Sequence, residues 1–322
     1  MFTKAKVDTT FALAKVADLV MTRGQRNAED DEVGVELELE GGNLEEAFNH
    51  LRSTGCDFFL MKGDGSLRNG MEFVFTKALN RVQAKKGIQD FFKVFHEKAT
   101  INNSERCSTH MHFNFQHRTV MQVYSFLTLF YMLELPFFQK FAPERVGNNY
   151  CLPLFECPTI GVNYAKNLKE GVFRHGVQHR YTAMNVASLP QYGSLECRML
   201  GGSDSADKPI QWMEVVLELY DYVKNNPRMT PADIMAQKDF TEFVKNTFPT
   251  VWTAIKDIKD VERLIEFGTY SVQDFVYAVD WTEAKTAKDP GKVRKVDPVL
   301  VPAREVPSYN LDEYSDYVSD NW

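Results

Sequence analysis

Four short runs in this chain put side chains that bind cations or carry protons at every second position. In Val33-Gly34-Val35-Glu36-Leu37-Glu38-Leu39-Glu40 the apolar residues fall on one side of a strand and Glu36, Glu38 and Glu40 on the other, because strand side chains alternate with a period of two. Carboxylates at i and i+2 stand about 6.7 Å apart and repel by roughly 2 to 3 kcal/mol at an effective dielectric of about 20. Solvent or a cation must offset that, so the run is either a solvated outer face or part of a cation site. In Ser108-Thr109-His110-Met111-His112-Phe113-Asn114-Phe115 the two histidines and Asn114 share a side; such a pair either approaches one ion or bonds to its neighbours. Glu72 stands opposite Met71, Phe73 and Phe75 in the run Gly70–Phe75, and Glu196 shares a side with Arg198 in Ser194–Met199. Glu196 and Arg198 read as an ion pair or as a cation ligand beside an anion contact.

Each run alone fits a structural role. Together they give a sheet face made of Glu, His, Asn and Arg, backed in every strand by apolar residues, and a merely solvated face would be chemically more varied. Carboxylates with one or two imidazoles suit Mg2+ or Mn2+ better than zinc, which favours thiolates or three histidines. Arginine forks meet phosphate in plane. The turn Gly63-Asp64-Gly65-Ser66 has the residues of a tight connection, and Arg180 and Asn185 lie on a further strand-like run.

The elements that must hold this face are mixed. Strands are expected at 33–40, 56–62, 70–76, 108–116, 180–187 and 193–199, and helices at 44–54, 78–99, 119–140, 207–226 and 231–266. This predicts an α+β fold: a curved, mainly antiparallel sheet with helices on one face and a charged metal and nucleotide cleft on the other. Residues 1–32 read as an N-terminal helical extension and linker, 33–282 as the folded domain, which the resemblance given below would make catalytic, and 283–322 as an extended or disordered Pro-rich acidic tail. No G-x-x-x-x-G-K-[ST] loop occurs, which sets aside a P-loop enzyme.

Composition narrows the classes further. With 37 Lys and Arg against 44 Asp and Glu, the chain of 322 residues carries a formal charge of −7, so broad phosphate neutralisation on nucleic acid is disfavoured. Five scattered cysteines without a C-x-x-C pair indicate neither a disulfide scaffold nor a zinc ribbon, and a reducing cytoplasm is expected. Asp8, Lys15 and Asp18 interrupt any signal-peptide core. The apolar stretch from Val120 to Phe141 contains Gln122, Glu134 and Pro136 and reads as a buried helix rather than a membrane span.

The ordered set of motifs resembles the amidoligase family, a branch of the glutamine-synthetase-like carboxylate-amine ligases with many bacteriophage-encoded members. The matching pieces are Gly34-Val35-Glu36-Leu37-Glu38, Asp64-Gly65-Ser66-Leu67 with Gly70-Met71-Glu72, His110-Met111-His112, Arg145 with Asn149-Tyr150-Cys151, Arg180 with Asn185, and Tyr192-Gly193-Ser194-Leu195-Glu196-Cys197-Arg198. They span roughly residues 33 to 203. The resemblance implies an ATP-dependent ligase that phosphorylates a carboxylate and lets an amine attack the acyl phosphate. It implies Glu36, Glu38, Glu72, His112 and Glu196 as ligands to Mg2+ or Mn2+. It further implies Arg145, Arg180, Arg198 and Asn185 as nucleotide contacts, and Asp64, Arg180 and Arg198 as catalytic residues. The location would be the cytoplasm, that of the host for a phage-encoded chain.

Two other functions compete. One is a non-catalytic structural or interaction protein that keeps the ligase-like fold and docks through its ends, with Tyr309, Tyr314, Tyr317 and Trp322 as anchors on a partner or a second copy. The other is a metal-dependent hydrolase built on His-x-His, for which a third histidine at a recognisable spacing is missing. Small-molecule or peptide substrates are expected, specified by the irregular stretch 143–179.

Overall fold

The computed structural model describes residues 5–19, 32–173 and 180–287. In chain order the elements are β1 (Ala5–Lys6), α1 (Thr9–Leu13), α2 (Val16–Leu19), β2 (Glu32–Gly42), α3 (Leu44–Ser53), β3 (Phe59–Lys62), β4 (Gly70–Phe75), β5 (Leu79–Asn80), α4 (Arg81–Lys98), β6 (Thr100–Ile101), β7 (Ser108–Asn114) and α5 (Val120–Phe141). There follow α6 (Pro158–Glu170), β8 (Met184–Asn185), α7 (Leu189–Tyr192), β9 (Ser194–Gly201), α8 (Asp207–Asn225), α9 (Pro231–Met235), α10 (Phe240–Thr247), α11 (Pro249–Ile255), α12 (Val261–Ser271), α13 (Gln273–Val276), β10 (Val279–Asp280) and α14 (Thr282–Thr286).

The main sheet runs β3-β4-β2-β7-β9-β8, with β5 and β6 pairing at the two ends of β2, and every pairing in it is antiparallel. Mixed helix and antiparallel sheet is therefore the architecture. Period-two alternation sorts the faces: Val33, Val35, Leu37 and Leu39 of β2, Phe73 and Phe75 of β4, Met111 and Phe113 of β7, and Leu195, Cys197 and Met199 of β9 are all buried in one core. Helices α4, α5 and α8 fill that side. Phe73 meets Phe91 and Phe95 of α4 edge-on at 5.1 and 4.9 Å between ring centroids, and Trp212 of α8 packs on Phe137 and Phe141 of α5.

Helix α5 starts with a reciprocal cap between Thr119 and Gln122. It is long and apolar enough to cross a membrane, yet 94% of its most apolar window is covered by the rest of the fold, as expected of a core helix. Pro136 lies inside it and cannot donate to the carbonyl of Met132 four residues back. Gly268 of α12 packs on that carbonyl so closely that a Cβ would sit 2.4 Å from the oxygen. Only a residue without a side chain permits this approach.

The expected boundary near residue 33 does not set the N-terminal segment apart. Val7, Phe11, Ala12, Leu13 and Val16 belong to the same core, β1 pairs in parallel with β10, and Val16 N–H donates to the Arg118 carbonyl at 2.9 Å. The expected helix over 231–266 is four helices, because Asp239 caps one start, Pro249 opens another and Asp260 turns left-handed at φ 58° before a third. The strand expected over 180–187 shrinks to Met184–Asn185: the Thr182 hydroxyl donates to Met184 O, and Ala187 N–H donates to the Asn185 side chain, diverting the flanking backbone. Residues 20–31, Arg174 to His179 and the tail from 288 lie outside the described residues, as do the proposed aromatic anchors.

Candidate metal centre

The face of β2 away from the core carries Glu36, Glu38 and Glu40, and strand register decides what each one meets. His110 of β7 stands directly opposite Glu36, Glu72 of β4 opposite Glu38 and Lys62 of β3 opposite Glu72. Across β7, Glu196 stands opposite His112, and Asn185 opposite Glu196. Three neighbouring rungs thus carry the polar side chains: Lys62, Glu72 and Glu38 on one, Glu36 and His110 on the next, and His112, Glu196 and Asn185 on the third. At Gly34, also opposite His112, a Cβ would come within 3.3 Å of the histidine Cβ, so the bare position leaves the ring its space.

The face tightens where adjacent rungs bring Glu36, His110 and Glu196 together. One oxygen or nitrogen from each lies within 4.8 Å of the others. His110 Nδ1 is 3.3 Å from Glu36 Oε2 and 3.6 Å from Glu196 Oε1, and the Glu196 and His110 side chains are only 9% and 7% exposed. Ligands about 2.1 Å from a common octahedral ion stand about 3 Å apart when adjacent and about 4 Å when opposite. Two carboxylates and an imidazole at these separations fit a divalent cation such as Mg2+ or Mn2+. His112 adds a second imidazole, with Nε2 3.5 Å from Glu36 Oε1 and Nδ1 3.2 Å from the Ser194 hydroxyl.

The electrostatics follow from this crowding. Burial pushes the Glu36 carboxyl up, but hydrogen bonds and charge from His110 and His112 more than reverse it and hold it well below the usual carboxylate range. Glu196 is lowered in the same sense: burial opposes, while His112, Arg198 and His110 prevail and Asn185 adds a hydrogen bond. Burial would lower His112, but Glu36 and Glu196 keep it raised. Glu72 has no such partner. Burial, and then the charge of Glu36, push it up to about 7. Like charge from Glu36, Glu38 and Asp64 thus adds to burial at Glu72 and outweighs the opposing charge of Lys62.

The remaining expected residues divide by location. Arg198 is paired with Glu196 and also donates from Nε to Tyr150 O at 3.4 Å. Asn185 Nδ2 donates to Glu196 Oε2 at 2.7 Å, fixing that carboxylate from behind. Glu38 accepts the Ser108 N–H and hydroxyl at 2.8 and 2.6 Å, so its Oε2 is already engaged. Asp64 accepts the Ser66 N–H at 2.6 Å; its lowered pKa comes first from Ser66, with smaller influences from His110 and Glu36 that mark its nearness to the cluster. Arg145 is buried and turned to Cys151 Sγ at 3.4 Å and Cys107 O at 3.3 Å, away from the carboxylates. Arg180 is exposed and makes no polar contact with the cluster.

Of the two histidines, the resemblance singled out His112, whereas His110 makes the closest group with Glu36 and Glu196. The H-x-H spacing places both on the face; choosing between them requires the register with β2 and the irregularity in β7 between Thr109 and Met111. Ser108 was missed, and a serine two residues before a histidine gives no sequence signal. Two shallow surface depressions, one lined by Arg81 to Asp90 with Glu214 and one by Asn225 to Gln237 with Lys285, lie away from this cluster. Converging ligand atoms rather than concavity define a cation site.

No protein-family model matches the chain, and no curated protein matches it. Among solved structures it resembles apo GmaS without ligand at 13% identity, over 80% of this chain and 70% of that one, with a TM-score of 0.34. A likeness this loose leaves the chemistry of the site to its own side chains.

Proposed function

We propose that this chain is an ATP-dependent carboxylate-amine ligase of glutamine-synthetase-like architecture, working in the cytoplasm through an acyl-phosphate intermediate. The observation that carries the reading is the convergence of Glu36, His110 and Glu196 within 4.8 Å, with Arg198 bound to the same Glu196. Glu36, His110 and Glu196 would hold a divalent cation, with His112, Glu38 and Glu72 around them. When bound, that ion would neutralise phosphate charge. Phosphoryl transfer needs mainly positioning and charge neutralisation; the carboxylates and imidazoles would position the ion, and the ion with Arg198 would supply the neutralisation.

In the reaction a carboxylate oxygen of the substrate attacks the γ-phosphorus of ATP and ADP leaves. The amine nitrogen then attacks the acyl carbon, the C–O bond to phosphate breaks, and the amine gives up a proton as the amide forms. Arg198 serves as the phosphate contact by sharing its fork between Glu196 and the transferring group. Asn185 keeps Glu196 in place, and Asp64 in the 63–66 turn would act as a further catalytic carboxylate. Arg180, exposed and uncommitted, is available to the nucleotide.

ADP release from ATP and Mg2+, measured with mixed amino acids and amines, tests the reading. Turnover that needs both an amine and a carboxylate supports a ligase. If no mixture yields ADP above the Glu36→Gln background, the non-catalytic alternative stands in its place.

A further inference from the structure

We propose that Ser108, anchored by Glu38, fixes the tautomer of His110 so that the bare Nδ1 of the ring is presented between Glu36 and Glu196. This rests on the reading of those three residues as a cation site. Ser108 is 3% exposed. Its backbone N–H and its hydroxyl both address one oxygen, Glu38 Oε2, at 2.8 and 2.6 Å. A carboxylate only accepts, and a hydroxyl has a single proton. That proton goes to Glu38, so the Ser108 oxygen is left to accept. The group it meets is His110 Nε2 at 2.7 Å, which must therefore carry the hydrogen.

A neutral ring with hydrogen on Nε2 has a lone pair on Nδ1, and Nδ1 faces Glu36 Oε2 and Glu196 Oε1 at 3.3 and 3.6 Å. Without a cation Nδ1 lies within hydrogen-bond reach of Glu36 Oε2; a cation standing among the three groups takes the place of a hydrogen there and makes ligands of all of them. The register of β7 against β9 shifts between Thr109 and Met111, at His110 itself. Glu38 and Ser108 are thus positioning residues: they act on the site through His110, as partners of ligating histidines commonly do.

The same three side chains, Ser108, His110 and Glu36, trace a serine–histidine–acid arrangement of the kind that activates a nucleophile. Two facts weigh against that use. The hydroxyl proton is directed at Glu38 rather than His110, and a side chain 3% exposed on a central strand offers an acyl donor no approach.

The test uses the full chain labelled with 15N at histidine, and reads the His110 tautomer from long-range 1H–15N couplings without metal and with diamagnetic Mg2+. The expected result is hydrogen on Nε2 in the wild-type chain, loss of that preference in Ser108→Ala, and its return in Ser108→Thr. Mn2+ affinity should fall about 10- to 100-fold in Ser108→Ala and recover to within a few-fold in Ser108→Thr. A bare Nε2, with the hydrogen on Nδ1 alone, in the wild-type chain overturns the proposal without any substitution. So does a Ser108→Ala chain with unchanged tautomer and Mn2+ affinity, or covalent labelling of Ser108 by a fluorophosphonate. Failure of the cation reading shows separately, as a Glu36→Gln chain that binds Mn2+ like wild type.

Discussion

Replacing Glu72 by Gln should stabilise the metal-free protein at neutral and higher pH. Glu72 stands opposite Glu38 in the register, and burial and then the charge of Glu36 raise its titration from 4.5 to about 7. In the unfolded chain the group ionises near 4.5, so between there and about 7 the folded state binds the extra proton. Stability then falls as pH rises through that window and is flat above it. The full shift corresponds to about 3 kcal/mol, and the partial exposure of the side chain reduces this to about 1 to 2 kcal/mol through solvent screening. His112, held raised by Glu36 and Glu196, adds stability present below about 6.5 and lost as pH climbs through its folded value, but wild type and variant share that loss. Urea unfolding in EDTA at pH 5 and pH 8 isolates the Glu72 contribution. The two proteins should be alike at pH 5, and Glu72→Gln more stable by about 1 to 2 kcal/mol at pH 8. Excess Mn2+ should stabilise wild type at pH 8 by about 3 kcal/mol at one hundred times its dissociation constant. Parallel stabilities at both pH values, or a variant weaker at pH 8, would refute the view that burial and like charge raise Glu72 on this face.

Arg198→Lys keeps the charge but loses the fork shared between Glu196 and the Tyr150 carbonyl; ADP release should drop at least about tenfold with an unchanged urea midpoint. Gly268→Ala forces α12 off the Met132 carbonyl and should cost about 1 to 3 kcal/mol in thermal or urea unfolding, while Mn2+ titration stays as in wild type. Glu134 is fully buried, burial pushes its carboxyl well above the usual range toward the neutral form, and one oxygen accepts the Leu154 N–H at 2.8 Å. Glu134→Gln should therefore change stability by less than about 1 kcal/mol at pH 7, whereas Glu134→Ala should lose about 2 to 4 kcal/mol to the void and the abandoned N–H.

The parts of the fold written in local chemistry were readable in the sequence. Alternation placed Glu36, Glu38, Glu72, His110, His112, Glu196 and Arg198 on the face away from the core, and the Thr119–Gln122 cap marks the start of α5 within a residue of the apolar run. What alternation cannot give is register. A period of two says that His110 and His112 point the same way; only the pairing of β7 with β2 and β9 says that His110 meets Glu36 and His112 meets Glu196. The N-terminal segment escaped for a similar reason: the partners of Val7 and Phe11 lie more than a hundred residues away in sequence, among them β10 and α14. Arg145 shows the opposite failure, since a motif-borne arginine is spent on a thiol and a carbonyl inside the fold.

The most direct test of the central claim is a crystal of the full chain grown with Mn2+ and a non-hydrolysable ATP analogue, with data collected for the anomalous signal of manganese. The account predicts a peak bounded by Glu36 Oε2, His110 Nδ1 and Glu196 Oε1, with the analogue's phosphates toward Arg198. Manganese bound only elsewhere, with Nδ1 of His110 hydrogen-bonded to Glu36 and no metal among the three, would contradict it.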